Sequence, residues 1–516
     1  MDEILFANLT GLSVVVIFVV IWIIISEIIA RKEMMKKEDA RKVLHIMVGN
    51  VILIVPLFGD RIFATMVPGL FIIVTFLLSP VSPIKQLRMD TFKAGHPFGT
   101  VLYAISLTIL VWFSWDNFWW IVASFFPLCY GDGLAAVTGT RAKSGYLKSL
   151  GGRKSLYGSW TFVWASFLTV AGGILLLDIL YQFNYTIEFA ILVGITVAIL
   201  AACSEFISPK GTDNVIIPLI LLVVVSNFQD VFFNTAETIN LEHFVIGTSI
   251  ALLIAIAGYF GKALTIDGAM GGFFMGIVIM GLGSFTLGYG LLSFFIIGSL
   301  ATKINKKEEK TIGFEKGSMK RDSMQALAKA GLATVLALLS VFAEEEKIII
   351  ALLIMFTASI GTALADTMGT EIGIKMKGTP HPILKPWKTA RKGDSGAVSI
   401  QGTLGALISA IFFTGFLYIS FIFDPSIEYE LPLFSLLLIP LSATLGMFTD
   451  SILGSTIQEH RKCLICENIV ESTTHCDQNT DFYSGFSFIH NDWVNFFSTS
   501  IGGLIALILS VPFLFL

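Results

Sequence analysis

Residues 347–366 read KIIIALLIMFTASIGTALAD, an unbroken uncharged run enclosed by Lys347 and Asp366. As a helix rising about 1.5 Å per residue, it spans the roughly 30 Å hydrocarbon core of a bilayer. Runs of this kind recur along the whole chain, near 5–30, 43–59, 62–80, 98–114, 117–138, 157–179, 187–204, 214–229, 241–260, 267–282, 285–301, 324–343, 347–366, 398–422, 431–449 and 495–515. The expected fold is all-α: a polytopic integral membrane protein of about sixteen transmembrane helices. The first run does not read as a cleavable signal, because Asp2 and Glu3 precede it and its basic residues follow it.

Composition agrees. Of 516 residues, 55% are hydrophobic and only 14% charged, where soluble domains carry about 25% charged residues. A mean hydropathy of +0.80 excludes disorder, a coiled coil and a disulfide scaffold. The net charge of −4 argues against nucleic acid as a partner and leaves the lipid bilayer. With the N-terminus placed outside, every second loop faces the cytoplasm. Those loops and their helix ends then hold all of the 34 Lys and Arg except Arg61 and Lys347. That is the positive-inside bias, and an even number of spans returns the C-terminus to the outer side.

The cytoplasmic loops carry a repeat. Asp132 is followed by Gly139, Arg141 and Lys143, then by Arg153-Lys154 and Gly158; Asp366 is followed by Gly373, Lys375 and Lys377, then by Arg391-Lys392 and Gly396. Both read D-x6-G-x-[RK]-x-K, a variable loop, then R-K-x3-G entering an apolar helix. Two related helical modules are expected, 1–235 and 236–516, the second with a Cys-rich cytoplasmic loop at 459–494.

Lys and Arg just inside a membrane are commonly topology anchors. A carboxylate at a membrane boundary is costly and asks for a reason. An acid followed by two basic clusters and glycine-bounded turns suits a polyphosphate with Mg²⁺: the carboxylate binds the hard cation, Arg and Lys offset phosphate charge, and glycine lets the backbone approach. Arg41-Lys42 with His45 opens the second span. Glu205 and Asp213-Asn214 bracket a short turn that would complete a metal site beside Asp132, and Asp450-Ser451 with Gly454 and Gln458 would play the matching part in the second module. Gln325 follows the basic loop that ends at Arg321. Cys463, Cys466, His475 and Cys476 are zinc-ligand types in a complete tetrahedral set, although the adjacent His475 and Cys476 can share one metal only through a strained turn. There is no G-x4-G-K-[ST] phosphate loop and no protein-kinase motif set.

Arg41-Lys42-x-x-His45, Tyr130-Gly131-Asp132-Gly133, Gly152-Arg153-Lys154-Ser155-x-x-Gly158 and Glu205…Thr212-Asp213-Asn214 resemble the phytol kinase and dolichol kinase family over 1–229. Phe294-Phe295-x-x-Gly298-Ser299-x-Ala301-Thr302-Lys303, Ala365-Asp366-Thr367-x-x-x-Glu371-x-Gly373, Gly393-x-Ser395-Gly396 and Asp450-Ser451-x-Leu453-Gly454 resemble a related family, that of the plant phytyl-phosphate kinase, over 241–516. One departure stands out: the Arg–Asn pair of the second family is Arg321-Asp322 here, so only Arg321 is kept as a ligand.

The resemblance implies a fusion that phosphorylates an isoprenoid alcohol and then its monophosphate, with CTP as donor and Mg²⁺ as cofactor. Asp132 or His45 would serve as base in the first step, with Asp366 and Asp450 central to the second. Phosphate contacts are expected from Arg41, Lys42, Arg141, Lys143, Arg153, Lys154, Ser155 and Gly158 in the first module, and from Lys303, Arg321, Lys375, Arg391, Lys392, Ser395 and Gly396 in the second. Asp132, Glu205, Asp213, Asn214, Asp366, Glu371 and Asp450 are the metal-ligand candidates. Two alternatives remain at this point: a membrane cytidylyltransferase, and a transporter built on an internal repeat.

Overall fold

A computed structural model describes residues 3–89, 97–141, 145–149, 152–209, 211–233, 241–312, 320–424, 431–476 and 478–515. The chain divides into two compact units, Met1–Asn240 and Leu241–Leu516. Among the described residues, 14 helices are long and apolar enough to cross a membrane, and two further apolar helices, Gly99–Phe113 and Asp213–Phe233, fall where further spans were expected. This is an integral membrane protein of helices, with β-structure confined to short pieces.

Local sequence sets the helix starts. The side chains of Asp60, Ser155, Thr186, Thr265, Asp322 and Ser399 each accept a hydrogen bond from the backbone N–H three residues on, satisfying a donor that the first turn leaves orphaned. In Arg61–Leu78, Ile62, Met66, Leu70 and Ile73 stand exposed. In Ile400–Phe423, Ile400, Leu404, Ile408 and Ile411 do the same. Apolar stripes at helical spacing, left uncovered, suit lipid rather than water.

In the first unit, Trp119, Ile121, Phe125 and Phe162 are fully buried. The helix Phe118–Phe126 does not end at Pro127. It continues through a π-helical turn, Pro127–Asp132, into Gly133–Gly139. Proline lacks the N–H a regular turn would use, and a widened turn accommodates this. Asp132 is carried at the end of that turn. A hairpin follows, Tyr146–Ser149 paired antiparallel with Gly152–Ser155, with Lys148 opposite Arg153.

The second unit is built around Glu346–Lys375, the most deeply buried of the long helices. It packs against Ser323–Phe342, Ile400–Phe423, Ser435–Thr456 and Asn491–Leu514. Small residues on it and its neighbours permit close approach: Ala365, Ala406, Ala410 and Ala443 form one buried cluster with Met447. Between Ser435–Thr456 and Asn491–Leu514 the loop folds into a three-stranded sheet, Ile469–Val470, His460–Lys462 and Asp481–Ser484 in that order, and a small hairpin of Thr474–His475 with Gln478–Asn479.

Candidate functional site

In the first unit, the helix Lys37–Gly49 brings Lys42 to the π-helical turn. Lys42 Nζ donates to Asp132 Oδ2 at 2.5 Å, and both side chains are nearly buried. His45 lies one turn further along, with Nε2 4.0 Å from the same carboxylate oxygen and 2.9 Å from the Leu128 carbonyl. A carbonyl only accepts, so Nε2 carries the proton and Nδ1 keeps the lone pair when the ring is neutral. Tyr103 fixes the segment by donating to the His45 carbonyl at 2.8 Å.

A second pair stands beside it. Lys154 Nζ donates to Glu205 Oε1 at 2.7 Å. Burial alone would lower the Lys154 pKa, but the Glu205 carboxylate beside it, reinforced by the charges of Asp132 and Asp213, holds it above the ordinary value of 10.5. Asp213 accepts from the Asn214 N–H, while Asn214 is occupied structurally, its side chain donating to the Gly99 carbonyl at 3.3 Å. Ser155 caps the helix Leu156–Tyr181 through the Gly158 N–H at 3.0 Å. Arg141 and Arg153 are exposed, and Lys143 lies outside the described residues. Arg41 has a buried Nε with no partner. With His45, Tyr103, Thr75, Thr100 and Asn214 it forms the polar part of a largely apolar pocket of about 100 Å³, walled by residues such as Val19, Val51, Val67, Phe71 and Leu107.

The second unit holds a cavity of about 1650 Å³. Lys329 Nζ donates to Asp366 Oδ2 at 2.9 Å and to Thr367 Oγ1 at 3.0 Å. Asp450 accepts from Ser498 Oγ at 3.0 Å, and the charge of Asp366 acts on it. Arg321, Arg391, Lys392, Ser395, Gly396, Asp366 and Asp450 all line this cavity, together with Lys329 and Asp492. The Arg321 guanidinium stacks over Phe294 and Phe295, at 5.5 and 5.9 Å from the ring centroids. A Cβ on Gly298 would come within 2.9 Å of its Nη2. Two rings and a missing side chain thus make the slot for one arginine. Burial lowers the pKa of Arg321, with Glu371 opposing that effect.

Other expected residues have structural partners or stand outside the cavity. Glu371 is buried and accepts from Thr302 Oγ1 at 2.8 Å. Lys303 and Lys375 are exposed and do not line the cavity. Lys392 donates to the Ile374 and Met376 carbonyls at 3.0 and 2.6 Å, anchoring the C-terminal end of the central helix. Asp322 caps Ser323–Phe342 by accepting from the Gln325 N–H at 3.1 Å. Asp and Asn serve equally as caps, which accommodates the departure at this position. Cys463, Cys466, His475 and Cys476 are brought together, their ligand atoms all within 4.8 Å of one another. The backbone N–H of Cys466 holds the Cys463 thiol down to about 6, assisted by His475 and the Ile465 N–H.

Both units carry acids of the type that binds a hard cation. The large cavity is lined by five Asp and three Glu against four Lys and Arg, an acid excess that would repel a bare polyphosphate. In the first unit Asp132, Glu205 and Asp213 act on one another electrostatically, with Lys42 and Lys154 the only ammonium groups bonded to them among the described residues. These acids are hard-cation ligand types, but among the described residues their oxygens are not drawn together as the ligand atoms of Cys463, Cys466, His475 and Cys476 are.

A model of the integral membrane protein family DUF92 matches residues 249–503. The protein PGR of Arabidopsis thaliana is 28% identical over 291 residues, 53% of this chain and 99% of the plant protein. The phytol kinase of Synechocystis sp. is 31% identical over 199 residues, 38% of this chain and 82% of that enzyme. The chain belongs to the phytol kinase-like family of membrane proteins. The chloroplastic protein VTE6 of Arabidopsis thaliana is also similar, 23% identical over 220 residues, 42% of this chain and 56% of its own length. No solved structure matches.

Within this family member, sequence reasoning missed Lys329, Ser498 and Asp267. Lys329 left a readable trace, a lone charge several residues inside an apolar run. Asp267 is buried and accepts from the Ser323 N–H and hydroxyl, a long-range closure that no spacing rule encodes.

Proposed function

We propose that the chain transfers phosphate from CTP twice: the first unit phosphorylates a long-chain isoprenoid alcohol, and the second converts the monophosphate to the diphosphate, both at the cytoplasmic face. The observation that carries this reading is the recurrence of one partly buried Lys–Asp pair per unit, Lys42 with Asp132 and Lys329 with Asp366. In both, the acid precedes the same basic pattern. The likeness to a phytol kinase supports the reaction class.

Phosphoryl transfer needs positioning and charge stabilisation more than covalent chemistry from the protein. In the first unit the apolar pocket suits an isoprenoid chain, with Arg41, His45, Tyr103, Thr100 and Asn214 among its polar lining. An alcohol must lose a proton, and Asp132 Oδ2 is already bonded to Lys42, so His45 Nδ1 is the better placed base. Arg41, with its unpartnered Nε, is left to meet the phosphate oxygens. In the second unit the nucleophile is already an anion. Its difficulty is repulsion from the donor, which Lys329, Arg321 and Arg391 are there to offset. Mg²⁺, when bound, would neutralise donor phosphate charge, and Asp132, Glu205 and Asp213 in one unit, Asp366 and Asp450 in the other, are the groups to hold it.

The test uses detergent-purified full chain, γ-³²P-labelled CTP, Mg²⁺ and phytol or geranylgeraniol, with the lipid products resolved by chromatography. Label is expected in mono- and diphosphate, with Asp366→Asn stopping at the monophosphate and Asp132→Asn abolishing both. Asp132→Asn should still convert added monophosphate. Release of pyrophosphate with a CDP-linked lipid would replace this reading with a cytidylyltransferase. Transfer surviving both substitutions would remove the two-site assignment.

A further inference from the structure

We propose that Cys463, Cys466, His475 and Cys476 bind one structural Zn²⁺, and that this ion holds in place a protein wall of the large cavity. The site stands apart from the acids and lysines discussed above, and it does not depend on the reaction assigned to the chain.

The donor set is three thiols and one imidazole, with all four ligand atoms within 4.8 Å of one another. His475 Nδ1 lies 3.5 Å from Cys466 Sγ and 3.2 Å from Cys476 Sγ. A tetrahedral site with Zn–S of about 2.3 Å and Zn–N of about 2.0 Å puts neighbouring donors roughly 3.5–3.8 Å apart. The two printed separations lie within a few tenths of an ångström of those values, and the widest pair needs to close by about an ångström at most.

The backbone is already bent for the purpose. Cys463 N–H donates to the Asn468 carbonyl at 3.0 Å and Glu467 N–H to the Cys463 carbonyl at 3.1 Å, closing a tight turn that carries Cys463 and Cys466. Glu467, just after the second cysteine, has φ +56°, and Cys476 has φ +51°. Each such left-handed residue other than glycine costs about 1–2 kcal/mol. The turn at Cys476 is what lets two adjacent residues, His475 and Cys476, face the same point. A metal repays that strain; exposed thiols by themselves would not.

The stretch between the two ligand pairs is not a free tip. Residues 467–473 line the cavity. From that stretch Glu471 Oε1 accepts from Ser395 Oγ at 3.0 Å, and Asn468 Oδ1 from Arg391 Nη1 at 3.3 Å. A metal-crosslinked loop therefore seats on the basic segment across the cavity and fixes where Ser395 and Arg391 stand. Strands of two to four residues could not hold such a wall alone.

Full-length protein purified under reducing conditions should contain one zinc per chain by elemental mass spectrometry, and Cys466→Ser or Cys476→Ser should lose it while eluting as the wild type does. Replacement by Co²⁺ should give the visible absorption of tetrahedral thiolate ligation in the wild type, lost in both variants. Chelation should speed proteolytic cleavage within 464–475 by about tenfold or more, and zinc should restore protection. Wild-type protein with no bound metal, or with Cys466 and Cys476 joined as a disulfide, overturns the site. Bound zinc whose removal leaves cleavage unchanged overturns its role in fixing the wall.

Discussion

Lys329 Nζ stands 2.9 Å from Asp366 Oδ2, each side chain about one-fifth exposed, so a single salt bridge closes the centre of the second unit across two helices. Lys329→Met leaves Asp366 buried without its partner. Because the pair is partly exposed, the expected loss is about 2–4 kcal/mol, toward the lower side of what breaking a fully buried pair costs. Phosphorylation of the monophosphate should fall by about 10²-fold or more, with the first transfer unchanged. Adding Asp366→Asn should recover most of the thermal stability and none of the second transfer. A double variant no more stable than the single would show that the pair is not what Lys329 contributes.

The Lys154–Glu205 pair predicts a pH dependence whose sign is fixed. Lys154 is raised above its ordinary value of 10.5 in the folded protein. A raised ammonium contributes stability fully below its unfolded value and loses it as pH climbs through the folded one. The melting difference between wild type and Lys154→Met should therefore stay level from neutral pH to about 10 and shrink only at higher pH. A difference already gone by pH 9 would contradict the pairing.

Ser155 separates a helix cap from a phosphate ligand. Its hydroxyl accepts from the Gly158 N–H at 3.0 Å, so Ser155→Ala should cost about 1 kcal/mol and Ser155→Asn should restore it. If Ser155→Asn recovers stability while KM for the nucleotide stays raised, the hydroxyl also touches the donor. Recovery of both assigns it to the cap alone.

How much of this was readable follows from what sequence encodes. Apolar runs encode spans directly, so each expected span has a helix in the structure, with Gly99–Phe113 shorter than the helices long enough to cross a membrane. The acids at run ends, Asp132 and Asp366, were legible because burying charge in lipid is costly. Their lysine partners were not equally legible: Lys42 sat in a motif, whereas Lys329 lies alone on a helix whose face toward Asp366 only packing decides. The π-helical turn at Pro127–Asp132, which aims Asp132 at Lys42, leaves only a proline in the sequence. Lys392 was readable as a cation but not as the anchor of the central helix, because its carbonyl partners come from that helix's last turns.

Gly396 offers the most discriminating substitution in the second unit. Its φ is +75°, and a Cβ there would meet Ser455 Cβ at 2.5 Å and the Ser451 carbonyl oxygen at 2.6 Å. Gly396→Ala thus carries two separate penalties, a backbone one of about 1–2 kcal/mol and a steric one against the helix that bears Asp450. Relief of either requires the loop to back away from that helix, taking with it Ser395 and the rest of the cavity wall. The variant should lose the second transfer while the first, in the other unit, proceeds normally. Adding Ser455→Gly removes the nearest side-chain contact but neither the Ser451 carbonyl nor the unfavourable φ, so melting should recover in part and activity less than stability. Full recovery of both would mean that only the Ser455 side chain required glycine at 396; no recovery would place the whole requirement in the backbone.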